Sequence, residues 1–178
     1  MAYSMKEGLM ASNTLDNMLA SAKGEEVIPD GALIVLGDLL TDDTYAADGV
    51  EYNAYKAGKV AALGDEVVIA DMADISEGAI AGNTYKIGYK LYDLQAPAGK
   101  LFRVRRLMLH DKFWLGDSNF AAAPTVGQYA IATVGSYLHT QTGEKPAAGY
   151  GVKILAKKDL TAGTSKKGDL YLCEVISL

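Results

Sequence analysis

The sequence predicts a mainly β protein, a small β-barrel or β-sandwich with a short N-terminal helical arm. Three observations predict this fold class. From residue 27 onward, apolar runs of four to nine residues alternate with Gly, Pro, Asp and Asn, as is typical of strands separated by turns. Most of the 19 glycines lie between these runs, where tight turns use them. Tyrosine, with 11 residues against 3 phenylalanines, suits half-buried strand faces.

The arm is residues 1–26, which differ in composition from the rest of the chain. They hold four of the six methionines and contain no Pro, Val or Ile. Leu15, Met18, Leu19 and Ala22 follow the i, i+3, i+4, i+7 spacing of one helix face. A helix this short is marginally stable alone. We therefore expect its apolar face to pack on its own domain or to reach another subunit, with disorder as the third alternative.

The β domain is residues 27–178, and turn residues divide it into seven predicted strands. These runs never alternate with helical patterns of 10–15 residues, which favours a sandwich or barrel over βαβ units. The predicted strands are ALIVL (32–36), VVIA (67–70), LFRVRRLML (101–109), KFWL (112–115), QYAIATV (128–134), GVKILAK (151–157) and LYLCEVI (170–176).

Composition excludes several functional classes. The 178 residues include 17 basic and 22 acidic side chains, a net charge of −5, which argues against a general nucleic-acid binder or a polybasic membrane-surface protein. A single cysteine excludes an internal disulfide and any multi-cysteine metal site. We expect neither a membrane span nor a secretory leader, because no apolar run is long enough and the start, MAYSMKEGLM, has no apolar h-region.

Catalytic motifs are missing from the sequence. Only His110 and His139 could act as the base of a nucleophilic triad. Asp111 is badly placed to orient His110, because neighbours in a strand point to opposite faces. His139 lies in a polar stretch that predicts an exposed hairpin or loop, and Cys173 lies in an alternating run that predicts a core position. The sequence therefore predicts no enzyme and no cofactor.

Three acids, Asp71, Asp74 and Glu77, come closest to a chemical site. They could face one way on a helical turn or ligate a calcium ion from a loop, but the segment lacks the order of an EF-hand. We interpret them as solvated turn acids. A metal-dependent enzyme that uses them remains a minor hypothesis.

All three arginines fall within one predicted strand. In an extended chain Phe102 and Val104 face one side, and Arg103 and Arg105 face the other, with Arg106 next along the strand. One interpretation is a solvated strand face paired with the protein's own acids. A second is a contact patch for an acidic protein surface, since arginine suits interfaces. Nucleic acid is a weaker third, because three arginines make a small footprint on an acidic protein.

Several segments, taken in order, carry a family resemblance that covers residues 27–178. They are LGDEVVIAD (63–71), YKIGYKLYDLQAPAGKLFRVRRLMLHDKFWL (85–115), PTVGQYAIATVGSYLHTQTG (124–143), GYGVKILAKKDL (149–160) and KKGDLYLCEVISL (166–178). These segments resemble the head decoration proteins of tailed bacteriophages, also called capsid auxiliary or cement proteins. The chain departs from the family pattern in lacking an aspartate before Phe102 and in its segment 73–84.

The resemblance implies a non-enzymatic virion protein, made in the host cytoplasm, that binds the outer surface of the assembled capsid and stabilises it. Its partner would be the major capsid protein. It would be a homo-oligomer, with a trimer favoured by threefold shell positions and a monomer left open, and with no membrane or direct nucleic-acid contact. The arm and the arginine cluster supply the candidate shell or subunit contacts: Leu15, Met18, Leu19, Arg103, Arg105 and Arg106.

An alternative reading is a head-fibre or adhesion module that binds host-surface glycan. In that role Trp114 and surface tyrosines would stack on sugar rings. The competing interpretation of Trp114 is a core residue, the usual place for the largest apolar side chain in a strand.

Overall fold

The computed structural model describes residues 5–11, 18–40, 54–72, 94–162 and 164–178. These residues are mainly β, as the sequence predicts, and include a 3₁₀ turn at Asp117–Asn119. None of the helical structure among them is long and apolar enough to span a membrane. The strands are β1 (Met5–Glu7), β2 (Leu19–Lys23), β3 (Ile28–Pro29), β4 (Leu33–Leu39), β5 (Ala54–Gly58), β6 (Val67–Ala70), β7 (Gln95–Ala96), β8 (Leu101–Arg106), β9 (Lys112–Gly116), β10 (Tyr129–Ala132), β11 (His139–Thr142), β12 (Gly151–Ala162) and β13 (Ser165–Ser177).

Six of the described strands form one antiparallel sheet in the order β1-β9-β13-β12-β10-β11. At its centre β12 and β13 pair as a long hairpin, from Gly151 opposite Ser177 to Ala162 opposite Ser165. The neighbouring strands are shorter. β9 pairs with residues 170–174 of β13, and β10 pairs with residues 151–153 of β12. The far part of the hairpin therefore continues beyond both of its neighbours.

Five other described strands close into a barrel in the order β2-β5-β4-β6-β8. β2 and β5 run parallel, and the remaining pairs are antiparallel. A barrel of so few strands has a narrow interior that side chains fill. There Ala20 and Ala22 of β2 lie opposite Val104 and Phe102 of β8. Small side chains on one strand thus make room for larger ones on the next.

The outer face of the barrel packs against the six-stranded sheet. Leu33 and Ile69 on that outer face belong to the same core cluster as Phe113, Leu115 and Tyr171 of the sheet. β6 is buried on both faces, because one face lines the barrel and the other meets the sheet. This explains why the run VVIA is apolar throughout and does not alternate with polar residues.

Where the described N-terminal residues overlap the predicted helix, at residues 19–22, they form a strand, so the prediction is wrong for that part; residues 12–17 lie outside the described residues. Leu19–Lys23 is strand β2, held between β5 and β8. Its burial alternates, with every second residue buried, which is the period of a strand. Leu19 and Ala22, which share a face at helical spacing, point to opposite faces of β2. Leu15 lies outside the described residues.

All seven predicted strands are present; β6 has the predicted ends, and the other six differ at one end or both. β8 ends at Arg106, where the predicted run continued to residue 109, and β12 runs on to Ala162. The sequence analysis missed β1, β2, β3, β5, β7 and β11. β1 and β2 lie before residue 26, in the segment predicted to be an arm, yet they belong to the sheet and to the barrel.

Candidate interaction surfaces

The structure places two sets of predicted contact residues on adjacent strands. β2 and β8 pair antiparallel, with Leu19 opposite Arg105 and Ser21 opposite Arg103. The side chains of Phe102 and Val104 are buried in the barrel, so the two faces predicted for this strand are confirmed. Residues far apart in the sequence therefore meet on the outer face of the barrel.

Two of the three arginines are engaged by one buried carboxylate. The side chain of Asp71 is 5% exposed, and its Oδ2 accepts from Nε of Arg105 and, at 2.8 Å, from Nη2 of Arg103. Arg103 Nε also donates to the Asp71 main-chain oxygen at 3.1 Å. The Arg105 side chain is 4% exposed, because the six-stranded sheet packs on this face of the barrel. Arg105 is therefore wrong both as a contact for an acidic partner surface and as part of a solvated face, whereas the pairing of Arg103 and Arg105 with one of the protein's own acids is confirmed.

Arg106 and Met18 are less deeply placed. Arg106 is half-buried and lines a cleft of about 310 Å³ together with Asp65, Glu66 and Tyr150. Met18 is half-buried immediately before β2. The arginines are thus divided between an interior ion pair and a cleft wall, and they do not form one exposed patch.

An exposed apolar surface lies where β8 turns into β9. Met108 is 40% exposed and Leu109 is 56% exposed. Leu9, 77% exposed, lies beside this turn, because its carbonyl oxygen accepts from the Lys112 amide at 2.8 Å. We call Leu9, Met108 and Leu109 the apolar turn. The sequence predicts one strand over the whole run LFRVRRLML and so does not reveal this surface; the strand ends at Arg106, and Met108 and Leu109 belong to the turn that follows.

The apolar turn is held rigidly from beneath. The Asp111 carboxylate is buried and accepts from the main-chain amides of Met108 at 2.9 Å and Ala11 at 2.8 Å. The His110 amide donates to Val175 of the sheet at 2.9 Å. His110 itself has a φ of +70°, a conformation that costs a non-glycine residue free energy. Its ring is 80% exposed and lies 3.2 Å from a Glu174 oxygen, as expected for a surface histidine.

A second surface is the far part of the β12–β13 hairpin, residues 157–169, which we call the lysine ribbon. Asp169 accepts from Lys157 at 2.8 Å and from Lys166 at 2.7 Å, and Asp159 accepts from Lys166 at 2.8 Å. Both hydrogen bonds lower the pKa of the Asp169 carboxyl, and the one from Lys157 has the larger effect. These pairs brace a two-stranded segment that, in the described structure, pairs only with itself.

Trp114 lies at the root of the lysine ribbon. It is half-buried and packs on the buried Leu160 and Leu170. The Lys158 ammonium lies 3.8 Å from the centroid of its ring. A cation at this distance is attracted to the indole face. That face is therefore occupied by Lys158 and is not open to a sugar ring.

A cleft of about 480 Å³ lies beside Tyr137, another candidate aromatic platform. Lys59 Nζ lies 2.7 and 2.9 Å from the two carboxylate oxygens of Glu26, and 5.2 Å from the centroid of the Tyr137 ring. Burial raises the pKa of the Tyr137 hydroxyl. An internal ion pair thus borders this ring too.

His139 is fully buried, so its predicted exposure is wrong, although it does lie in a hairpin, formed by β10 and β11. It begins β11, and its Nδ1 lies 3.1 Å from the Asn119 carbonyl oxygen, which can only accept. Nδ1 therefore carries the proton, and Nε2 accepts from the Tyr150 hydroxyl at 2.8 Å. Burial lowers the pKa of His139 to about 4. Cys173 is buried as predicted, and desolvation raises its pKa.

The acidic segment shows no metal chemistry in its described part. Asp71 is taken up by the ion pair with Arg103 and Arg105. Asp74 and Glu77 lie outside the described residues. Across the described ranges, no group of His, Cys, Asp and Glu side chains is arranged to hold a metal ion.

Comparisons with protein-family models, with curated proteins and with solved structures give no match.

Proposed function

We propose that this protein is a non-enzymatic virion protein that binds the outside of an assembled phage capsid and stabilises it. It acts by binding alone, without a cofactor, and its partner is the major capsid protein. The observation that carries the proposal is the apolar turn, a rigid and exposed surface suited to protein contact. The resemblance of residues 27–178 to capsid decoration proteins supplies the kind of partner.

The geometry of the apolar turn suits a binding anchor. Its side chains are 40–77% exposed, while hydrogen bonds from the main-chain amides of Met108 and Ala11 to the buried Asp111 carboxylate fix the backbone beneath them. Ordering costs little free energy on binding when a surface is already rigid. Removing the remaining exposed area of three such side chains contributes about 3 kcal/mol. Repetition over a shell lattice turns a modest contact of this size into firm retention.

The test is co-sedimentation of the purified protein with undecorated shells of the candidate major capsid protein. We expect saturable binding at a copy number that matches a lattice symmetry. Leu109→Asp places a carboxylate in the contact and should weaken binding about 10- to 100-fold. Val126→Asp is the matched control, because Val126 is an exposed aliphatic residue elsewhere, at 47% exposure, and should bind as the wild type does.

Two results would contradict the proposal. If no protein pellets above background at low salt and high protein concentration, shell binding is wrong. If Leu109→Asp and Val126→Asp bind equally well, the apolar turn is not the contact.

The glycan-adhesion alternative makes a different prediction for Trp114. Because the ring packs on Leu160 and Leu170 beneath Lys158, Trp114→Ala should cost about 3 kcal/mol of stability. On a glycan array, the folded wild-type protein and a folded Trp114→Ala variant should give the same signal. Specific glycan binding lost in a folded Trp114→Ala variant would favour adhesion instead.

A further inference from the structure

The charge of the molecule is unevenly distributed between the lysine ribbon and the rest of the chain. The lysine ribbon holds four lysines against two aspartates, a net charge of +2. The rest of a chain whose net charge is −5 therefore carries −7. A basic, two-stranded extension on an acidic body has an electrostatic complement in the body of another copy.

The opposite end of the same hairpin carries an acidic surface. Tyr150 directly precedes β12 and lines two neighbouring clefts, one with Asp65 and Glu66 and the other with Leu63 and Glu144. We call these four residues the acidic patch: Leu63, Asp65, Glu66 and Glu144. Its three carboxylates exceed the two cations that line the same clefts, Arg106 and Lys145. Leu63, at 52% exposure, adds an exposed apolar side chain to it.

The two surfaces cannot meet within one molecule. The acidic patch lies at the base of the hairpin, beside Gly151, and the lysine ribbon lies towards its tip at Ala162. Strand geometry separates these two ends by roughly 35 Å. Each molecule thus has a basic surface and an acidic surface at opposite ends of the same hairpin.

We propose that the lysine ribbon of one copy docks on the acidic patch of a second copy of this chain. The contact is head-to-tail, because two ribbons repel each other and two acidic patches do the same. Contacts between unlike surfaces generate closed rings, or filaments where the rotation does not close. The symmetric alternative, a twofold dimer through one self-complementary surface, does not use this charge asymmetry.

The test uses the full-length chain without shells, so it is independent of the proposed function. Mass is measured by light scattering across protein concentrations, at about 0.02 M and about 1 M salt, where charge screening differs strongly. We expect assemblies larger than one 18.9 kDa chain at low salt that dissociate at high salt. Reversing the ribbon charge with Lys158→Glu and Lys167→Glu should raise the dissociation constant at least about tenfold.

Charge exchange makes the test decisive. A body variant with Glu66→Lys and Glu144→Lys should also fail to associate alone. A mixture of the ribbon and body variants should associate, because each reversed surface then meets an opposite charge. The matched control is Lys56→Glu with Lys100→Glu, which changes net charge equally on exposed lysines outside the ribbon and should associate like the wild type. Circular dichroism checks that every variant is folded.

The proposal is overturned if the wild-type chain stays monomeric at low salt, or if the ribbon variant associates normally. It is also overturned if the control loses association equally, or if the mixture of reversed variants does not assemble. Ribbon-dependent binding to heparin without self-association would identify an anionic polymer, not a second copy, as the occupant.

Discussion

At the scale of single residues, the interior contains a charged group that depends on its partners. Asp71 lies almost entirely out of water between Arg103 and Arg105. Removing one member of a buried ion pair costs more than the pair contributes, because the remaining charge keeps its desolvation penalty. The site therefore favours the native arrangement of β6 and β8 mainly because arrangements that separate Asp71 from the two arginines keep this desolvation penalty.

Asp71→Asn should destabilise the protein by about 3–5 kcal/mol, because it removes the interior carboxylate charge that pairs with both Arg103 and Arg105. Urea unfolding followed by circular dichroism measures this loss. The matched control is Asp38→Asn, since the Asp38 carboxylate is 89% exposed and 4.0 Å from Lys56. That surface change should cost at most about 1 kcal/mol. Equal losses for the two variants would contradict the buried ion pair.

His139 should make the fold sensitive to acid. In the folded protein its pKa is lowered from 6.5 to about 4, because burial disfavours the charged ring. Between these two values the unfolded chain binds the proton and the folded chain does not. Stability therefore falls as the pH drops from about 6.5 towards about 4, by about 3 kcal/mol from this group.

The measurement is the free energy of unfolding against pH for the wild type and His139→Gln. The variant should be less stable at pH 7, and its decline between about pH 6.5 and 4 should be shallower by the contribution of His139. His110→Asn serves as the control, because His110 is exposed and asparagine tolerates its positive φ. Identical pH slopes for the wild type and His139→Gln would show that this ring is not buried in its neutral form.

At the scale of elements, two loops lock together where β12 begins. Gly149 has a φ of +70°, and a Cβ at this position would collide with the main-chain oxygen of Leu63. Gly99 has a similar φ of +74° but has open space around the same position. The two glycines thus separate the effect of backbone conformation from the effect of close packing.

Gly149→Ala should lower the free energy of unfolding by about 3 kcal/mol or more. The left-handed backbone becomes strained, and the loop before β6 must also move to make room for the Cβ. Gly99→Ala should cost only about 1–2 kcal/mol, from the left-handed conformation alone. Thermal unfolding of both variants gives the comparison. A Gly149→Ala variant no less stable than Gly99→Ala would mean that the Leu63 loop is not packed against this turn.

Which elements the sequence predicts depends on how their apolar residues are arranged. Runs such as VVIA and LYLCEVI are long, β-branched or alternating, and flanked by turn residues, so their strands are predictable. β2, with the sequence LASAK, is built from small residues that fit a narrow barrel and have little strand preference of their own. Whether this segment forms a strand depends on its pairing with β8, and the local sequence does not show that pairing.

The candidate surfaces were predictable to a smaller extent. The arginine strand was correctly located, but the burial of Arg105 depends on a sheet that packs over it from elsewhere in the chain. His139 looked exposed because its neighbours are polar, whereas the fold closes Asn119 and Tyr150 around it. The apolar turn combines Leu9 with residues a hundred positions later. Such juxtapositions follow from topology, and a periodic pattern does not reveal them.

At the scale of the whole molecule, the barrel and the sheet share one core. Leu33 and Ile69 of the barrel pack with Phe113 and Tyr171 of the sheet. Two layers joined by fully buried side chains are expected to unfold together. The barrel should therefore have no stable existence apart from the sheet.

A destabilising substitution inside the barrel should therefore be detected by a fluorescent side chain in the sheet. Val104→Ala removes a buried methyl pair from the barrel interior and should cost about 2 kcal/mol. The fluorescence of Trp114, in β9 of the sheet, should report the same shift in the urea midpoint as circular dichroism does. Val134→Ala, at an exposed position, should shift neither signal. Two separate transitions would contradict a shared core.

The placement of β1 and β2 also affects how the chain is made. Met5 pairs with Leu115, and Leu19 pairs with Arg105, so these two strands leave the ribosome about a hundred residues before their partners. At about 5–20 residues per second, that interval lasts several seconds. During it, the apolar N-terminal segment stays without its barrel. Loop closure over such separations is slow, and because β9 needs β13 as its neighbour in the sheet, we expect the nascent protein to need a chaperone until β13 has emerged.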